Sequence, residues 1–406
     1  MLDTILLAIA LSSILGWICL RFRRGGFWRA DQRLPASPKP LAIWPQVTAV
    51  VPARNEAESI GRAVRSLLNQ DYPGPFRIVV VDDNSTDGTT AEALRAAADD
   101  PRLVVIPGAP LPKRWTGKLW AVHQGVNCAL ENVLGTEFLL LTDADIEHDP
   151  SNVRRLVALA ENERQDLVSL MVRLRCETFW ERLLVPPFIF FFQKLYPFPW
   201  VNDRSRSEAA AAGGCMLIRT TALQAAGGIA TIRGQLIDDC ALAARIKQYG
   251  GAIWLGLAEE TRSLRLYPRL RDVWSMIART AFTQLNHSSG KLLATVIGML
   301  VLYVIPPLSV LLWMAGGSIQ LAMLGLVAWL MMAASFAPTL TLYRRSLAWS
   351  LLLPVAACLY VLMTIDSARL SWQGRGGIWK GRSFEADAAL DAPREAGSVT
   401  EPVGPQ

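Results

Sequence analysis

The segment Phe138-Leu-Leu-Leu-Thr-Asp-Ala-Asp-Ile146 places two carboxylates, Asp143 and Asp145, at the end of a short apolar run. A run of this length that ends in a polar break is typical of a buried parallel strand. Ligands of open α/β sheets bind outside the carboxyl ends of strands, and hard divalent cations take carboxylate oxygens together with substrate phosphates. The segment therefore indicates a cation site that carries a diphosphate. Two solvated loop aspartates are the alternative, because D-x-D alone is a common pattern.

The composition is too apolar for an ordinary soluble protein. Of the 406 residues, 51% are hydrophobic and 19% are charged, and the mean hydropathy is +0.26, so membrane segments are expected. Cytoplasmic basic flanks explain the net charge of +6 most simply. No basic-aromatic patch points to a nucleic-acid partner. Six cysteines without C-x-x-C spacing and only three histidines argue against a zinc site.

Residues 1–24 are predicted to form an N-terminal transmembrane anchor. The run Leu2–Leu20 is long and apolar enough to span a bilayer, and Arg21, Arg23 and Arg24 follow it directly. Positive charge marks the cytoplasmic side, so the chain beyond the anchor is expected in the cytoplasm. A cleaved signal peptide would carry its basic residues before the apolar run, and an uncleaved anchor is therefore favoured. The glycine- and proline-containing residues 25–46 form a linker.

Three further apolar stretches, 292–313, 319–342 and 347–365, predict C-terminal transmembrane helices within residues 291–368. Three full crossings would place the tail, residues 369–406, outside the cytoplasm. The tail nevertheless carries Arg369, Arg375, Lys380 and Arg382, which is typical of a cytoplasmic segment. The sequence leaves this conflict open. Beyond about residue 385 the composition indicates disorder.

The aromatic segment 179–201 contains three tryptophan or tyrosine residues, Trp180, Tyr196 and Trp200, and several prolines. These residues suit the headgroup boundary of a bilayer better than a clean crossing. We expect an interfacial segment here, which could form an acceptor groove. A buried core helix is the alternative.

Residues 47–162 alternate short apolar runs with stretches of helical periodicity. This alternation predicts an α/β fold with a mostly parallel sheet and helices on both faces. One predicted strand ends in Asp82 and Asp83, as the strand from Phe138 ends in Asp143 and Asp145, so all four carboxylates are expected to converge around a cation. A dinucleotide-binding Rossmann domain is disfavoured, because the first turn has P-A-R-N-E in place of G-x-G-x-x-G.

Six motifs in this order resemble the family-2 glycosyltransferases, inverting enzymes of the GT-A fold related to cellulose, hyaluronan and ceramide-glucosyl synthases. They are V-V-P-A-R-N-E (50–56), V-V-D-D-N-S-T-D-G (80–88), G-K-L-W-A (117–121), D-A-D (143–145), A-G-G-C-M-L-I-R (212–219) and L-I-D-D-C-A-L-A (236–243). The resemblance implies a cytoplasmic GT-A domain over residues 47–290. The pieces W-T-G-K-L-W-A (115–121) and I-W-K-G-R-S-F (378–384) are most similar to the branch associated with hopanoid biosynthesis.

The resemblance also assigns site residues. It implies a nucleotide pocket lined by Pro52, Arg54, Asn55, Glu56, Asp82 and Asp83, with Asp83 on the base. Lys118 would approach the phosphates as a point charge. Asp143 would face the ribose or phosphate side and, with Asp145, bind a divalent cation, Mg²⁺ or Mn²⁺, that stabilises the departing diphosphate.

The same resemblance makes Asp239 the general base, with Asp238 beside it to raise its pKa. The alternative for this pair is a helix N-cap ahead of Cys240. Arg279 would reach the diphosphate, although a surface arginine is an equally good interpretation. Synthase-like relatives carry Q/R-x-x-R-W at this place, and the stretch Met276-Ile-Ala-Arg-Thr280 keeps only the arginine, which argues against processive polymer synthesis.

The sequence therefore predicts a multi-pass inner-membrane enzyme with a cytoplasmic catalytic domain. It would be an inverting glycosyltransferase that moves a sugar from a nucleotide-sugar, most simply a UDP-sugar, to a lipid acceptor such as a hopanoid. A processive polysaccharide synthase is the alternative enzyme. A transporter or scaffold with a degenerate nucleotide domain is the alternative outside enzymes, and the intact acidic positions argue against it.

Overall fold

The computed structural model describes residues 2–132 and 135–375. Its eight strands are β1 (Val47–Ala53), β2 (Phe76–Asp82), β3 (Leu103–Pro107), β4 (Phe138–Thr142), β5 (Ile146–Glu147), β6 (Leu167–Arg173), β7 (Cys215–Arg219) and β8 (Ile253–Ser263). The predicted tail motif at 378–384 and the predicted disorder beyond about residue 385 lie outside the described residues.

Fifteen α-helices occur in the described part of the chain. They are α1 (Leu2–Arg23), α2 (Ile60–Leu68), α3 (Thr89–Ala97), α4 (Gly117–Asn132), α5 (Asn152–Asn162), α6 (Phe179–Leu195), α7 (Phe198–Val201), α8 (Thr220–Ala225), α9 (Asp238–Gln248), α10 (Leu270–Ala278), α11 (Ala281–Gln284), α12 (Ser289–Met299), α13 (Ile305–Met314), α14 (Ile319–Leu342) and α15 (Leu353–Trp372).

All eight strands form one sheet in the order β3-β2-β1-β4-β7-β6-β8-β5. Strands β3, β2, β1 and β4 run parallel, whereas β7 is antiparallel to both of its neighbours. Residues of β1 alternate between two cores: Val50 contributes to one face, and Ala49 and Val51 contribute to the other. The prediction of an α/β fold with a mostly parallel sheet covered on both faces is confirmed.

A proline in a central strand normally breaks the hydrogen-bond ladder. Pro52 avoids this cost because the pairing of β1 with β4 ends at Val50, so the edge of β1 that faces β4 is already open at Pro52. The opening lies at the carboxyl end of the sheet. It leaves room there for a ligand.

Four helical stretches in the described residues are long and apolar enough to cross a membrane: Thr4–Arg23, Ser289–Met314, Ile319–Leu342 and Leu347–Trp372. The second contains a π-helical turn, Leu300–Val304, directly before Pro306. A proline frees the carbonyl four residues earlier, here that of Leu302. The indole Nε1 of Trp17 donates a hydrogen bond to this carbonyl (2.9 Å), which ties α1 to the stretch.

Both ends of the last apolar stretch contact helices that precede the C-terminal apolar region of the chain. Near its start, the ring of Trp349 lies 6.0 Å from that of Phe179 at the beginning of α6. Near its end, Asp366 accepts a hydrogen bond from the indole of Trp274 in α10 (2.8 Å).

Candidate active site

One large cavity, of about 1070 Å³, begins at the carboxyl end of the sheet and continues between the apolar helices. Its sheet end is lined by side chains that the sequence singled out: Pro52, Glu56, Lys118, Asp143, Asp145, Asp238 and Asp239. Its other end is lined by residues of α1, α6, α12 and α15, among them Leu20, Phe191, Val296 and Val361. The cavity therefore joins a charged site to an apolar, membrane-type environment.

Lys118 links the two acidic motifs at the sheet end. Its Nζ atom lies 2.9 Å from Oδ1 of Asp143 and 3.3 Å from Oδ2 of Asp238. Burial alone would lower the pKa of Lys118, but Asp143 and Asp238 outweigh burial and raise it. Lys118 is the second residue of α4, so the positive end of that helix faces the same space.

Arg265 binds the second aspartate of the D-A-D motif. Its Nε lies 2.8 Å from Oδ2 of Asp145, and its Nη2 lies 2.7 Å from Oε1 of Glu56. The pairing of β5 with β8 explains this position, because the backbone N–H of Leu264 donates to the carbonyl of Asp145 (2.7 Å). Burial opposes the charge, yet Asp145 and Glu56 raise the pKa of Arg265.

Asp239 is held by two backbone donors. The N–H of Gly213 donates to its Oδ2 (2.8 Å), and the N–H of Cys240 donates to its Oδ1 (2.7 Å). Burial, and after it the charge of Asp238, raise the pKa of Asp239 to about 6. A Cβ atom at position 213 would lie 3.2 Å from Nζ of Lys118 and 3.4 Å from Oδ2 of Asp239, so glycine keeps this contact open.

The Asp238–Asp239 pair lies in the first turn of α9, where negative charge is favoured. The N-cap residue itself is Ile237, which makes no side-chain capping bond, whereas Oδ1 of Asp239 accepts from the N–H of Cys240 in that turn. Both carboxylates also line the cavity.

The expected convergence of four carboxylates is wrong. Strand β1 lies between β2 and β4, so Asp82 and Asp83 are one strand away from the D-A-D motif. Asp83 is fully buried, 3.6 Å from Nη1 of Arg54. Asp82 accepts hydrogen bonds from the backbone of Ser85 and the hydroxyl of Thr90.

Asn55 lies in the turn that follows β1 and contacts the turn that follows β2. Its backbone is in the left-handed region (φ 51°), and its Oδ1 accepts from the N–H of Thr86 (2.9 Å). Arg54, Asn55, Asp82 and Asp83 thus form a connected group beside the cavity rather than its wall. Their contact with a nucleotide base stays a prediction.

Arg279 follows α10 as its C-cap residue, is exposed, and lines the cavity. Its contact with a diphosphate stays a prediction.

The donor set at the sheet end fits a divalent cation that shares its ligands with a substrate. Glu56, Asp143, Asp145, Asp238 and Asp239 face two paired cations, Lys118 and Arg265, which leaves an excess of about three negative charges if all are ionised. No group of three or more acidic, histidine or cysteine side chains in the described residues could hold a metal alone. Mg²⁺ is commonly bound by one or two carboxylates plus substrate phosphates, and Asp143 with Asp145 match that pattern.

Among the cavity residues that the sequence analysis did not predict are Arg265 and Lys194. Arg265 lies in the stretch Leu264-Arg-Leu-Tyr-Pro-Arg269, which carries no motif, and only the β5–β8 pairing brings it to Asp145. Lys194 lies in the aromatic segment, where a lone lysine among phenylalanines was the available signal.

Comparison with known proteins agrees with this geometry. Residues 48–227 match the family model "Glycosyl transferase family 2". The chain is similar to undecaprenyl-phosphate 4-deoxy-4-formamido-L-arabinose transferases, being 36% identical over 129 residues to that of Yersinia enterocolitica (30% of this chain, 36% of the relative). The chain is 29% identical over 178 residues to the corresponding transferase of Pseudomonas syringae (42% of this chain, 46% of the relative). The chain thus spans less than half the length of these relatives.

Among solved structures, the fold is similar to that of the mannosyltransferase PcManGT from Pyrobaculum calidifontis, in complex with GDP-Man and Mn²⁺. The TM-score is 0.52, the identity is 22%, and the match covers 88% of this chain and 99% of that one. The matched family segment contains β1 to β7 and the motifs around Pro52, Lys118 and Asp143. The match to glycosyl transferase family 2 is confined to residues 48–227, which are less than half of the chain.

Proposed function

We propose that this protein is a membrane-bound inverting glycosyltransferase that moves a sugar from a nucleotide-sugar to a lipid acceptor. The observation that carries the proposal is the single cavity that joins Asp143, Asp145 and Asp239 to an apolar wall of membrane-type helices. A soluble acceptor would need no such wall. The relatives named for undecaprenyl-phosphate sugar transfer support a lipid acceptor.

In the proposed reaction, an acceptor oxygen forms a bond to the anomeric carbon while the bond from that carbon to the diphosphate breaks. The electron pair leaves with the nucleoside diphosphate. When the acceptor is a hydroxyl, its proton passes to Asp239, whose pKa of about 6 lets it be a carboxylate near neutral pH. The backbone donors Gly213 and Cys240 fix the orientation of this carboxylate.

Asp143 and Asp145 would hold a divalent cation, Mg²⁺ or Mn²⁺, which as a Lewis acid would stabilise the charge on the departing diphosphate. The Mn²⁺ and GDP-Man bound to PcManGT are compatible with this assignment. Lys118 would supply a further positive charge to the phosphates, and Arg279 another from the opposite wall. Arg265, once released from Asp145, would also supply a positive charge to the phosphates.

The donor proposed is a UDP-sugar, and the acceptor implied by the resemblance to the hopanoid branch is a hydroxylated lipid. A lipid phosphate is a second acceptor candidate, which the names of the relatives favour. A processive synthase remains the alternative enzyme. It is disfavoured because Arg279 stands without the tryptophan of Q/R-x-x-R-W.

We further propose that the protein resides in the inner membrane with its catalytic domain in the cytoplasm. In this topology α1, the α12–α13 stretch and α14 cross the bilayer, and α15 lies along the catalytic domain. The contacts of Trp349 and Asp366 at the two ends of the last stretch support this arrangement. The ion pair between Arg344, just after α14, and Glu260 in β8 (3.1 Å) also supports it. The tail would then be cytoplasmic.

Membranes that contain the protein can be incubated with a panel of radiolabelled nucleotide-sugars and extracted with chloroform–methanol. Label in the organic phase that depends on Asp145 supports the proposal. Absence of label from the organic phase across the panel would overturn it.

A further inference from the structure

Two cations at the membrane side of the cavity are not used by the mechanism above. Lys194, in the last turn of α6, and Arg24, directly after α1, both line the cavity. Arg24 donates from Nε to the carbonyl of Lys194 (3.1 Å) and from Nη2 to that of Leu195 (3.0 Å). The guanidinium therefore caps the C-terminal end of α6, where a positive charge is favoured.

The ammonium of Lys194 has an apolar and aromatic surrounding. Its Nζ donates to the hydroxyl of Tyr303 (3.0 Å), lies 3.7 Å from Sδ of Met299, and sits 4.9 Å from the ring centroid of Phe191. Within the described residues, no carboxylate oxygen lies within salt-bridge distance of Lys194 or Arg24. Burial and then the charge of Arg24 lower the pKa of Lys194 to about 7. Two neighbouring cations without a counter-charge are costly, and a bound anion would remove that cost.

The depth of the pair limits what the anion can be. Arg24 follows the basic end of α1, which marks the headgroup level of the cytoplasmic leaflet. Apolar side chains of the same cavity, including Phe188, Leu302 and Val361, continue from this level between the helices. A ligand that fills both regions has a phosphate at headgroup depth and a hydrocarbon chain beyond it.

We propose that Lys194 and Arg24 form a binding site for the phosphate of the acceptor lipid. The inference rests on the proposed function and deepens it, because it names a phosphate-bearing lipid as the acceptor class. Two lipids share this chemistry: a polyprenyl monophosphate, whose phosphate oxygen would itself attack the sugar, and phosphatidylglycerol, whose free hydroxyl would attack. A monophosphate is largely dianionic near neutral pH and has no proton to lose to Asp239.

Binding can be measured without turnover, by native mass spectrometry of the detergent-purified full chain titrated with farnesyl monophosphate or with the neutral alcohol farnesol. We expect the phosphate to bind at least about tenfold more tightly, and Lys194→Gln to lose that preference by about 10–100-fold, as for a hydrogen bond to a charged group. Lys194→Arg should retain it. Lys291→Gln, the same charge change at an exposed position outside the cavity, should also retain it. Unchanged farnesol binding shows that each variant is folded.

Equal binding of the two probes by the wild type, or an unaltered preference in Lys194→Gln, would overturn the site. In transfer assays, Asp239→Asn separates the two lipids, because only the hydroxyl of phosphatidylglycerol needs the base. Transfer to a neutral hopanoid at the same rate in wild type and Lys194→Gln would also overturn the inference while leaving the glycosyltransferase intact. Phosphate preference without labelled lipid from any nucleotide-sugar would instead reject the proposed function.

Discussion

Arg265 lies with its Nε 2.8 Å from Oδ2 of Asp145, although 120 residues separate the two in the chain. The same guanidinium contacts Glu56, which follows the first strand. A single arginine thus joins the end of β1, the D-A-D motif and the loop that leads to α10. A cation bound at Asp145 would compete with this arginine. Binding of the cation would therefore weaken the contact between Asp145 and the loop after β8.

Loss of Asp145 should abolish turnover. We expect Asp145→Asn to reduce labelled product to background, and EDTA to do the same to the wild type, because a carboxylate that shares a cation with the diphosphate cannot be replaced by an amide. Product formation with and without added Mn²⁺ is the measurement. Asp71→Asn, at an exposed carboxylate paired with Arg154, is the control. Full activity in excess EDTA would contradict the metal assignment.

Replacement of the base should separate chemistry from donor binding. Asp239→Asn keeps the size of the side chain but cannot accept a proton, so with a hydroxyl acceptor we expect kcat to fall by about 10²–10⁴-fold. Affinity for the nucleotide, measured by isothermal titration, should stay near that of the wild type. Weakened nucleotide binding with normal kcat would show that the roles are misassigned.

The pH profile should report the same carboxylate. Because burial and Asp238 raise the pKa of Asp239 to about 6, and the base works when deprotonated, kcat with a hydroxyl acceptor should rise as pH increases through about 6 and then level off. Asp238→Asn removes the neighbouring negative charge. The rising limb should therefore move to lower pH. A limb that moves to higher pH in Asp238→Asn would exclude this explanation.

The position of α15 predicts the side of the tail. Alkaline phosphatase fused after residue 100 or after residue 375 should be inactive, because both sites are cytoplasmic in the proposed topology. Fusion at Gly316, in the turn between α13 and α14, should be active. High activity of the fusion after 375 would mean that α15 crosses the bilayer.

Local patterns predicted β1 to β4 and the placement of Asp143 and Asp145 after a strand, since an apolar run and its polar end are neighbours in sequence. Asp238 and Asp239 were assigned by the family resemblance. Local patterns could not predict that β1 separates Asp82 and Asp83 from the D-A-D motif, because strand order depends on contacts across the whole domain.

Hydropathy has a similar limit. A hydropathy profile shows only that a segment is long and apolar enough to cross a bilayer. The last stretch meets both criteria whether α15 crosses the bilayer or lies against α10. The Arg265–Asp145 pair required the antiparallel pairing of β5 with β8, which no local signal encodes.

The most direct test of lipid glycosylation is the partition of the product. Membranes with the wild-type chain are incubated with radiolabelled nucleotide-sugars and extracted with chloroform–methanol, and Asp145→Asn membranes are treated in parallel. The account predicts label in the organic phase, carried by a lipid with one sugar or very few, and its loss or reduction in the variant. Label found only in a water-soluble polymer would contradict the account and favour a polysaccharide synthase.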